Sequence, residues 1–215
     1  MRDKLARAAL LAAFIGGTTY VLAWGMTLPP AWDLAWKGTG VGLLAIYAAL
    51  QARSLDGWLL TAVMAFGMLG DVLLGVNFIV GALAFLAGHL VAIGLYLRNR
   101  RPALTRSQLL LAVVLVPAAV AIAWLLPTDR AQAPGIALYA TGLSVMAACA
   151  WTSRFPRLWT GLGAVMFVVS DLLIFARMGR IEPTFAVGLA VWGLYFAGQV
   201  MICLGVSGRL AEDGR

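Results

Sequence analysis

Residues 57–97 read GWLLTAVMAFGMLGDVLLGVNFIVGALAFLAGHLVAIGLYL, and this stretch decides the fold. It holds two apolar segments, 57–75 and 78–97, separated by little more than Gly-Val-Asn. Each segment is close to the roughly 20 residues that an α-helix needs to cross about 30 Å of hydrocarbon. The sequence therefore predicts two transmembrane helices joined as a tight hairpin.

The composition of the whole chain agrees with this local pattern. Of its 215 residues, 62% are hydrophobic and 12% are charged, and the mean hydropathy is +0.92. Soluble domains carry about 25% charged residues, so the composition predicts a polytopic membrane protein. A net charge of +7 would point to nucleic acid in a soluble protein. Here the basic residues lie in short gaps between apolar segments, where topology signals belong, and no nucleic-acid partner is expected.

Six further apolar segments can be drawn outward from this hairpin. They separate at turn-forming stretches such as TLPPAWD, and no stretch between them is long enough for a soluble domain. The first apolar run exceeds the 7–15 residues of a signal-peptide core, so it is expected to be an uncleaved span. The prediction is an all-α, single integral-membrane domain of eight transmembrane helices. The remaining spans are 6–26, 33–51, 107–126, 133–151, 157–177 and 184–206.

The distribution of lysine and arginine predicts the orientation of the chain. Twelve basic residues lie at the termini and in every second loop, whereas the opposite side holds only Arg130, Arg177 and Arg180. Because cytoplasmic loops carry the excess of positive charge, both termini are expected in the cytoplasm. The Ala- and Arg-rich composition favours a bacterial cytoplasmic membrane. The twelve residues are Arg2, Lys4, Arg7, Arg53, Arg98, Arg100, Arg101, Arg106, Arg154, Arg157, Arg209 and Arg215.

Two aspartates interrupt apolar segments in a similar setting. GDVLLG contains Asp71, and SDLLIF, four spans later, contains Asp171. Asp71 lies 14 residues after Gly57 and Asp171 lies 14 residues after Arg157, which predicts similar depths in the membrane. A charged group within a span costs a few kcal/mol and by default marks a functional site with a partner. The structural alternative is that both aspartates are hydrogen-bonding groups between helices.

Lys37 is a third ionisable residue within a predicted span. Asp33 lies four residues earlier, in the favourable order for an ion pair on a helix, and the lysine could also extend to the interface. The functional alternative is a cation for a phosphate headgroup or for the two aspartates.

The remaining polar candidates have structural alternatives as well. His89, the only histidine, cannot form a multi-histidine metal site, and it serves either a hydrogen bond across the bundle or proton transfer. Tyr195 and Gln199 lie one turn apart on one helix face, where they are either polar packing or part of a site. Ser170 adjoins Asp171. The cysteines, Cys149 and Cys203, show no CxxC spacing, and no metal site is expected.

Four short motifs on alternating spans, together with the lysine in the second span, resemble the YhhN family, the lysoplasmalogenases. The motifs are GDVLL at 70–74, FLAGHL at 85–90, FVVSD at 167–171 and YFAGQ at 195–199. The resemblance implies an integral-membrane hydrolase that cleaves the vinyl ether bond of lysoplasmalogens. It implies a lysophospholipid substrate and no metal or organic cofactor.

The resemblance also assigns roles to residues of this chain. It makes Asp71 and Asp171 the catalytic pair and gives supporting or substrate-binding positions to Lys37, His89, Tyr195, Gln199 and Ser170. One departure is that Gly38 follows Lys37 where the family pattern has proline.

Two alternatives to the hydrolase remain open on the residues themselves. Intramembrane carboxylates, a histidine and a lysine would also serve a proton-coupled transporter, whose halves commonly echo each other. A structural or assembly protein would use the aspartates only as interhelical hydrogen-bonding groups. The residues specify neither the headgroup nor an oligomeric state. Under the hydrolase hypothesis, Asp171, flanked by aromatic residues, is the proton donor and Asp71 its ionised partner.

Overall fold

A computed structural model describes residues 1–213, which form eight α-helices and contain no β-strand. Arg215, counted above among the basic residues, lies outside this range. A 3₁₀ turn, Tyr20–Gly25, continues the first helix, and a π-helical turn, Arg157–Gly161, precedes the seventh. The helices are α1 Arg2–Thr19, α2 Pro30–Gln51, α3 Leu55–Leu74, α4 Phe78–Arg98, α5 Arg106–Leu125, α6 Ala133–Thr152, α7 Leu162–Ala176 and α8 Phe185–Asp213.

The all-helical prediction is confirmed for the described chain, and the chain is an integral membrane protein. Seven segments within residues 1–213 are long and apolar enough to cross a membrane. The helix α2 is not among them. Its sequence includes Asp33, Lys37 and three glycines, which lower its hydropathy. The crossing of the membrane by α2, and so the count of eight spans, remains a prediction.

Capping residues in the sequence set several helix ends. Pro30 opens α2 at a position where proline costs no hydrogen bond. Ser54 caps α3 by accepting a hydrogen bond of 3.3 Å from the Gly57 amide. Before α5, Thr105 accepts from the Gln108 amide at 3.3 Å and the Gln108 side chain accepts from the Thr105 amide at 3.0 Å. This reciprocal capping box satisfies two amides that the helix itself leaves unpaired.

The last helix is longer than predicted. The sequence places its end at residue 206, where the apolar run stops, but α8 continues to Asp213. Arg209 forms ion pairs with Glu212 at 3.0 Å and with Asp213 at 3.5 Å. Hydropathy marks only the apolar part of a helix, and these charged pairs one turn apart support its polar extension.

The helices divide into two compact units. The first contains residues 1–95 and the described residues from 206 onward, and the second contains residues 96–205. In the first unit, α2 packs against both α1 and α3. A methyl group on Gly38 would lie 2.8 Å from the Val72 side chain, so glycine permits the close approach of α2 and α3.

In the second unit, α6 packs against both α5 and α7, and α7 and α8 meet at a pair of glycines. A methyl group on Gly163 would lie 2.7 Å from the carbonyl oxygen of Gly198. The reciprocal distance, from Gly198 to the carbonyl oxygen of Gly163, is 2.6 Å. The two backbones therefore touch at a point where no larger residue fits. Small residues at helix contacts are typical of membrane proteins.

The predicted hairpin is present between α3 and α4. Three residues, 75–77, join the helices, and the Asn77 side chain accepts a hydrogen bond of 3.1 Å from the Val80 amide at the start of α4. A methyl group on Gly81 would lie 2.4 Å from the Leu74 amide nitrogen. The hairpin thus depends on glycine where its two helices begin to run side by side.

Candidate functional site

Asp71 lies near the end of α3 in the first unit. It is 2% exposed, and its neighbour Gly70 touches α4, since a methyl group there would lie 2.5 Å from the Phe85 ring. Phe85 in turn stacks on His89, one turn further along α4, with ring centroids 6.5 Å apart. His89 is also buried. The glycine next to Asp71 therefore brings an aromatic pair of α4 against this part of α3.

Tyr20, in the 3₁₀ turn after α1, connects electrostatically to two carboxylates. The charges of Asp33 of α2 and of Asp71 both act on its hydroxyl group. Its ring packs edge-on against Trp24 with centroids 6.2 Å apart. The sequence did not single out Tyr20, because a tyrosine at the end of an apolar segment is usually an interface residue.

Of the alternatives that the sequence leaves open for Lys37, the ion pair with Asp33 is not formed in the described chain. No ion pair joins them within residues 1–213, and Asp33 interacts with Tyr20 instead. Helical spacing permits the pair, but it does not decide whether a nearer hydroxyl competes for the carboxylate. Lys37 is half-buried in α2. Gly38, which follows it, packs against Val72, the residue after Asp71, so Lys37 and Asp71 lie at nearly the same level of adjacent helices.

Asp171 lies in α7 of the second unit and is 6% exposed. The hydroxyl of Tyr139, from α6, donates a hydrogen bond of 2.7 Å to its Oδ2 atom. The Tyr139 ring packs edge-on against Phe175, one turn after Asp171, with centroids 5.8 Å apart. Within residues 1–213, the partner of this buried carboxyl group is a phenol rather than a cation.

The sequence did not identify Tyr139. Its segment, ALYATG, is apolar apart from the tyrosine and a threonine, and no pattern links it to a residue 32 positions away. The only signal was a buried hydroxyl in an apolar segment, which needs a hydrogen-bond partner.

Ser170 and Tyr195 are placed where α7 and α8 meet. The Ser170 hydroxyl donates a hydrogen bond of 2.9 Å to the carbonyl of Val191. The Tyr195 ring packs against Phe167 at 5.1 Å and against Trp192 at 5.6 Å between centroids. Phe167 lies one turn before Asp171 on α7, so Tyr195 contacts the helix face that carries Asp171.

Gln199 lies one turn beyond Tyr195 and is 2% exposed. Its Oε1 atom is buried and has no hydrogen-bond partner in the described chain. The structure thus places Lys37, Asp71 and His89 in the first unit and Ser170, Asp171, Tyr195 and Gln199 in the second. Within residues 1–213, no group of three or more His, Cys, Asp and Glu side chains is arranged to hold a metal ion.

Comparisons with known proteins show to which family the chain belongs. The model of the YhhN family matches residues 32–206. The lysoplasmalogenases of Mycobacterium bovis and Mycobacterium tuberculosis are each 30% identical to this chain over 205 residues, covering 86% of this chain and 77% of the relative. No solved structure matches significantly. The family match includes all seven residues that the sequence nominates as site residues, and it shows that the chain belongs to the YhhN family.

Proposed function

We propose that this protein is a lysoplasmalogenase, which hydrolyses the vinyl ether bond of a lysophospholipid to a fatty aldehyde and a glycerophospho-base. The relatives that carry this name support the substrate class. The observation that carries the chemistry is Asp171, a carboxyl group buried inside a span and bonded to a phenol. A carboxyl group without a cation beside it can hold a proton and deliver it to an apolar bond.

Vinyl ether hydrolysis begins when a proton adds to the alkene carbon β to the ether oxygen. The π electrons form the new C–H bond, and the adjacent carbon and oxygen share the positive charge of an oxocarbenium ion. Water adds to that carbon and loses a proton, and the resulting hemiacetal collapses to an aldehyde and an alcohol. Glycosidases stabilise a similar cation with two carboxyl groups, one protonated and one ionised.

Asp171 is the proton donor in this proposal. Tyr139 donates to Oδ2, so Oδ2 acts as the carbonyl oxygen of the neutral acid and Oδ1 carries the proton. A fixed carboxyl orientation raises the fraction of encounters in which the proton points at the alkene carbon.

Asp71 is the ionised partner, which stabilises the cation and orients the attacking water. Gly70, next to it, lets the Phe85 ring of α4 pack against this part of α3. Lys37, level with Asp71, binds the phosphate of the substrate. His89, stacked on Phe85, fixes the position of the α4 side chains that lie beside Asp71.

Aldehyde release from a purified 1-alkenyl lysophospholipid in detergent tests the proposal. We expect release by the wild type and its loss in folded Asp71→Asn and Asp171→Asn variants. The matched control is Asp129→Asn, the same exchange in the exposed loop after α5, which should keep full activity. Retained turnover in both intramembrane variants would contradict the acid pair. Proton-dependent lipid uptake into vesicles without chemical change would replace the hydrolase by a transporter.

We further propose that both termini face the cytoplasm. In the first unit, the Arg2 side chain donates hydrogen bonds to the carbonyl groups of Leu50, Ala49 and Ala52, which places the start of α1 beside the end of α2. Such pairing gathers basic residues at one end of the helices, as the positive-inside rule requires. Reporter fusions at each terminus, one active only in the cytoplasm and one only outside it, test this orientation.

A further inference from the structure

The side-chain carbonyl oxygen of Gln199 is buried and accepts no hydrogen bond in the described chain. The residue is 2% exposed, and its Oε1 atom is without a partner among residues 1–213. A carbonyl oxygen accepts hydrogen bonds and cannot donate one. Leaving it buried and unpaired is costly. The structure therefore assigns this position a partner that carries an N–H or O–H group.

The packing of α7 against α8 sets the distance between Gln199 and Asp171 along the helix axes. The contact of Gly163 with Gly198 and the hydrogen bond of Ser170 to Val191 show that these helices run antiparallel. Gln199 is then level with residue 162, nine positions before Asp171, or roughly 13 Å along the axis.

Both side chains lean into the interval that separates them. Side chains of an α-helix tilt toward its N-terminus, so in antiparallel helices the Asp171 carboxyl group and the Gln199 amide incline toward each other. Between them lies the aromatic pair of Phe167 and Tyr195. At this level the two helices pack through an aromatic pair, with a carboxyl group beyond it in one direction and an amide acceptor in the other.

We propose that Gln199 Oε1 accepts a hydrogen bond from the free sn-2 hydroxyl group of the lysolipid. This inference rests on the proposed function and deepens it. The alkene carbon that receives the proton and the sn-2 oxygen are five covalent bonds, or roughly 6 Å, apart. The two side chains and their contacts with the substrate cover the rest of the distance between Asp171 and Gln199. A lipid acylated at sn-2 offers an ester oxygen there and no proton. Gln199 is then the residue that selects lysolipids.

Other buried polar atoms without partners in the described chain fit the role of acceptor for the sn-2 hydroxyl group less well. The hydroxyl groups of Tyr96 and Thr160 are both donors and acceptors, and the indole nitrogen of Trp151 is only a donor. None of them lies on the face of α8 that carries Tyr195. Only the Gln199 oxygen combines a strict need for a donor with a place one turn from a residue that packs beside Asp171.

Two substrates and two variants test the assignment. The substrates are a 1-alkenyl lysophosphocholine and its analogue in which hydrogen replaces the sn-2 hydroxyl group. We expect the wild type to prefer the hydroxylated lipid by at least about tenfold in kcat/KM, the effect of one buried hydrogen bond. Gln199→Met, similar in length but unable to accept, should lose this preference. Gln199→Glu, which still accepts, should retain it.

Tyr96→Phe is the control, because it removes another buried hydroxyl group of the same unit that has no hydrogen-bond partner in the described chain. It should lower kcat/KM for the two lipids by the same factor and so leave the preference unchanged. If Gln199→Met keeps the wild-type preference, an ordered water rather than substrate satisfies the amide and the inference is wrong. Should that variant fail to fold, equal cleavage of both lipids by the wild type overturns the inference alone. No aldehyde from either lipid overturns the proposed function and this inference together.

Discussion

Asp71 and Asp171 occupy matching places in sequence and have different surroundings. Asp71 follows a glycine pressed against the Phe85 ring, and its charge acts on the Tyr20 hydroxyl group. Asp171 follows a serine and is held by the Tyr139 hydroxyl at 2.7 Å. A repeated pattern of small residue, aspartate and aliphatic run thus leaves the chemical environment of each aspartate to the neighbouring helices. The two carboxyl groups are suited to two roles rather than to one shared role.

The sharpest test of this difference is rescue by external acid. Asp171→Asn should lower kcat by about 10²- to 10⁴-fold, the usual contribution of a general acid. Added formic or acetic acid should restore part of that rate in proportion to its concentration, because it supplies the missing proton. Asp71→Asn should lose comparable activity without such rescue. Rescue of Asp71→Asn alone would exchange the two roles.

Tyr139→Phe probes the group that sets Asp171 apart. Removing the hydroxyl leaves Oδ2 without its donor while the ring keeps its contact with Phe175. We expect kcat to fall about tenfold or more, as for the loss of a hydrogen bond to a carboxyl group, with KM little changed. Steady-state kinetics on the folded variant measure this split. A change confined to KM would mean that Tyr139 contacts the substrate instead.

Replacing the residue before each aspartate by alanine shows how tightly the two regions are packed. Gly70→Ala places a methyl group 2.5 Å from the Phe85 ring and should cost about 1–3 kcal/mol of stability through overpacking. Ser170→Ala removes one hydrogen bond to Val191 and should cost about 1 kcal/mol. Apparent melting temperatures in detergent show which of the two variants loses more stability. A larger loss for Ser170→Ala would show that Phe85 moves aside easily.

Lys37→Met should give the smallest effect. If Lys37 binds the substrate phosphate, KM should rise severalfold for a phosphate-containing lipid and stay unchanged for a 1-alkenylglycerol without phosphate. Lys37→Arg keeps the charge and serves as the control. Equal effects of Lys37→Met on both substrates would assign the lysine to the structure of α2.

Helices and their turns could be read from the sequence because they depend on local chemistry. Apolar length located the helices, and Gly75 to Asn77 located the hairpin. Hydropathy misjudged the end of α8, where ion pairs of Arg209 extend the helix past the apolar run. The burial of Asp71, His89 and Asp171 followed from their positions within apolar segments.

The contacts of the site could not be read in the same way. Tyr139 reaches Asp171 from another helix, 32 residues away, and no periodicity encodes that pairing. Asp33 acts electrostatically on Tyr20, which belongs to another segment, and forms no ion pair with Lys37 in the described chain. Spacing along one helix states what is possible, and the neighbouring helices decide which possibility is used.

The three-residue connection between α3 and α4 also bears on how the protein enters its membrane. Asp71 lies three residues before the end of α3, so α4 leaves the ribosome almost directly behind it. α4 is the more apolar of the two helices. Insertion of the two helices as one hairpin lets the more apolar helix offset the cost of carrying a carboxyl group into lipid. The short turn therefore couples the membrane insertion of the helix that carries Asp71 to that of its neighbour.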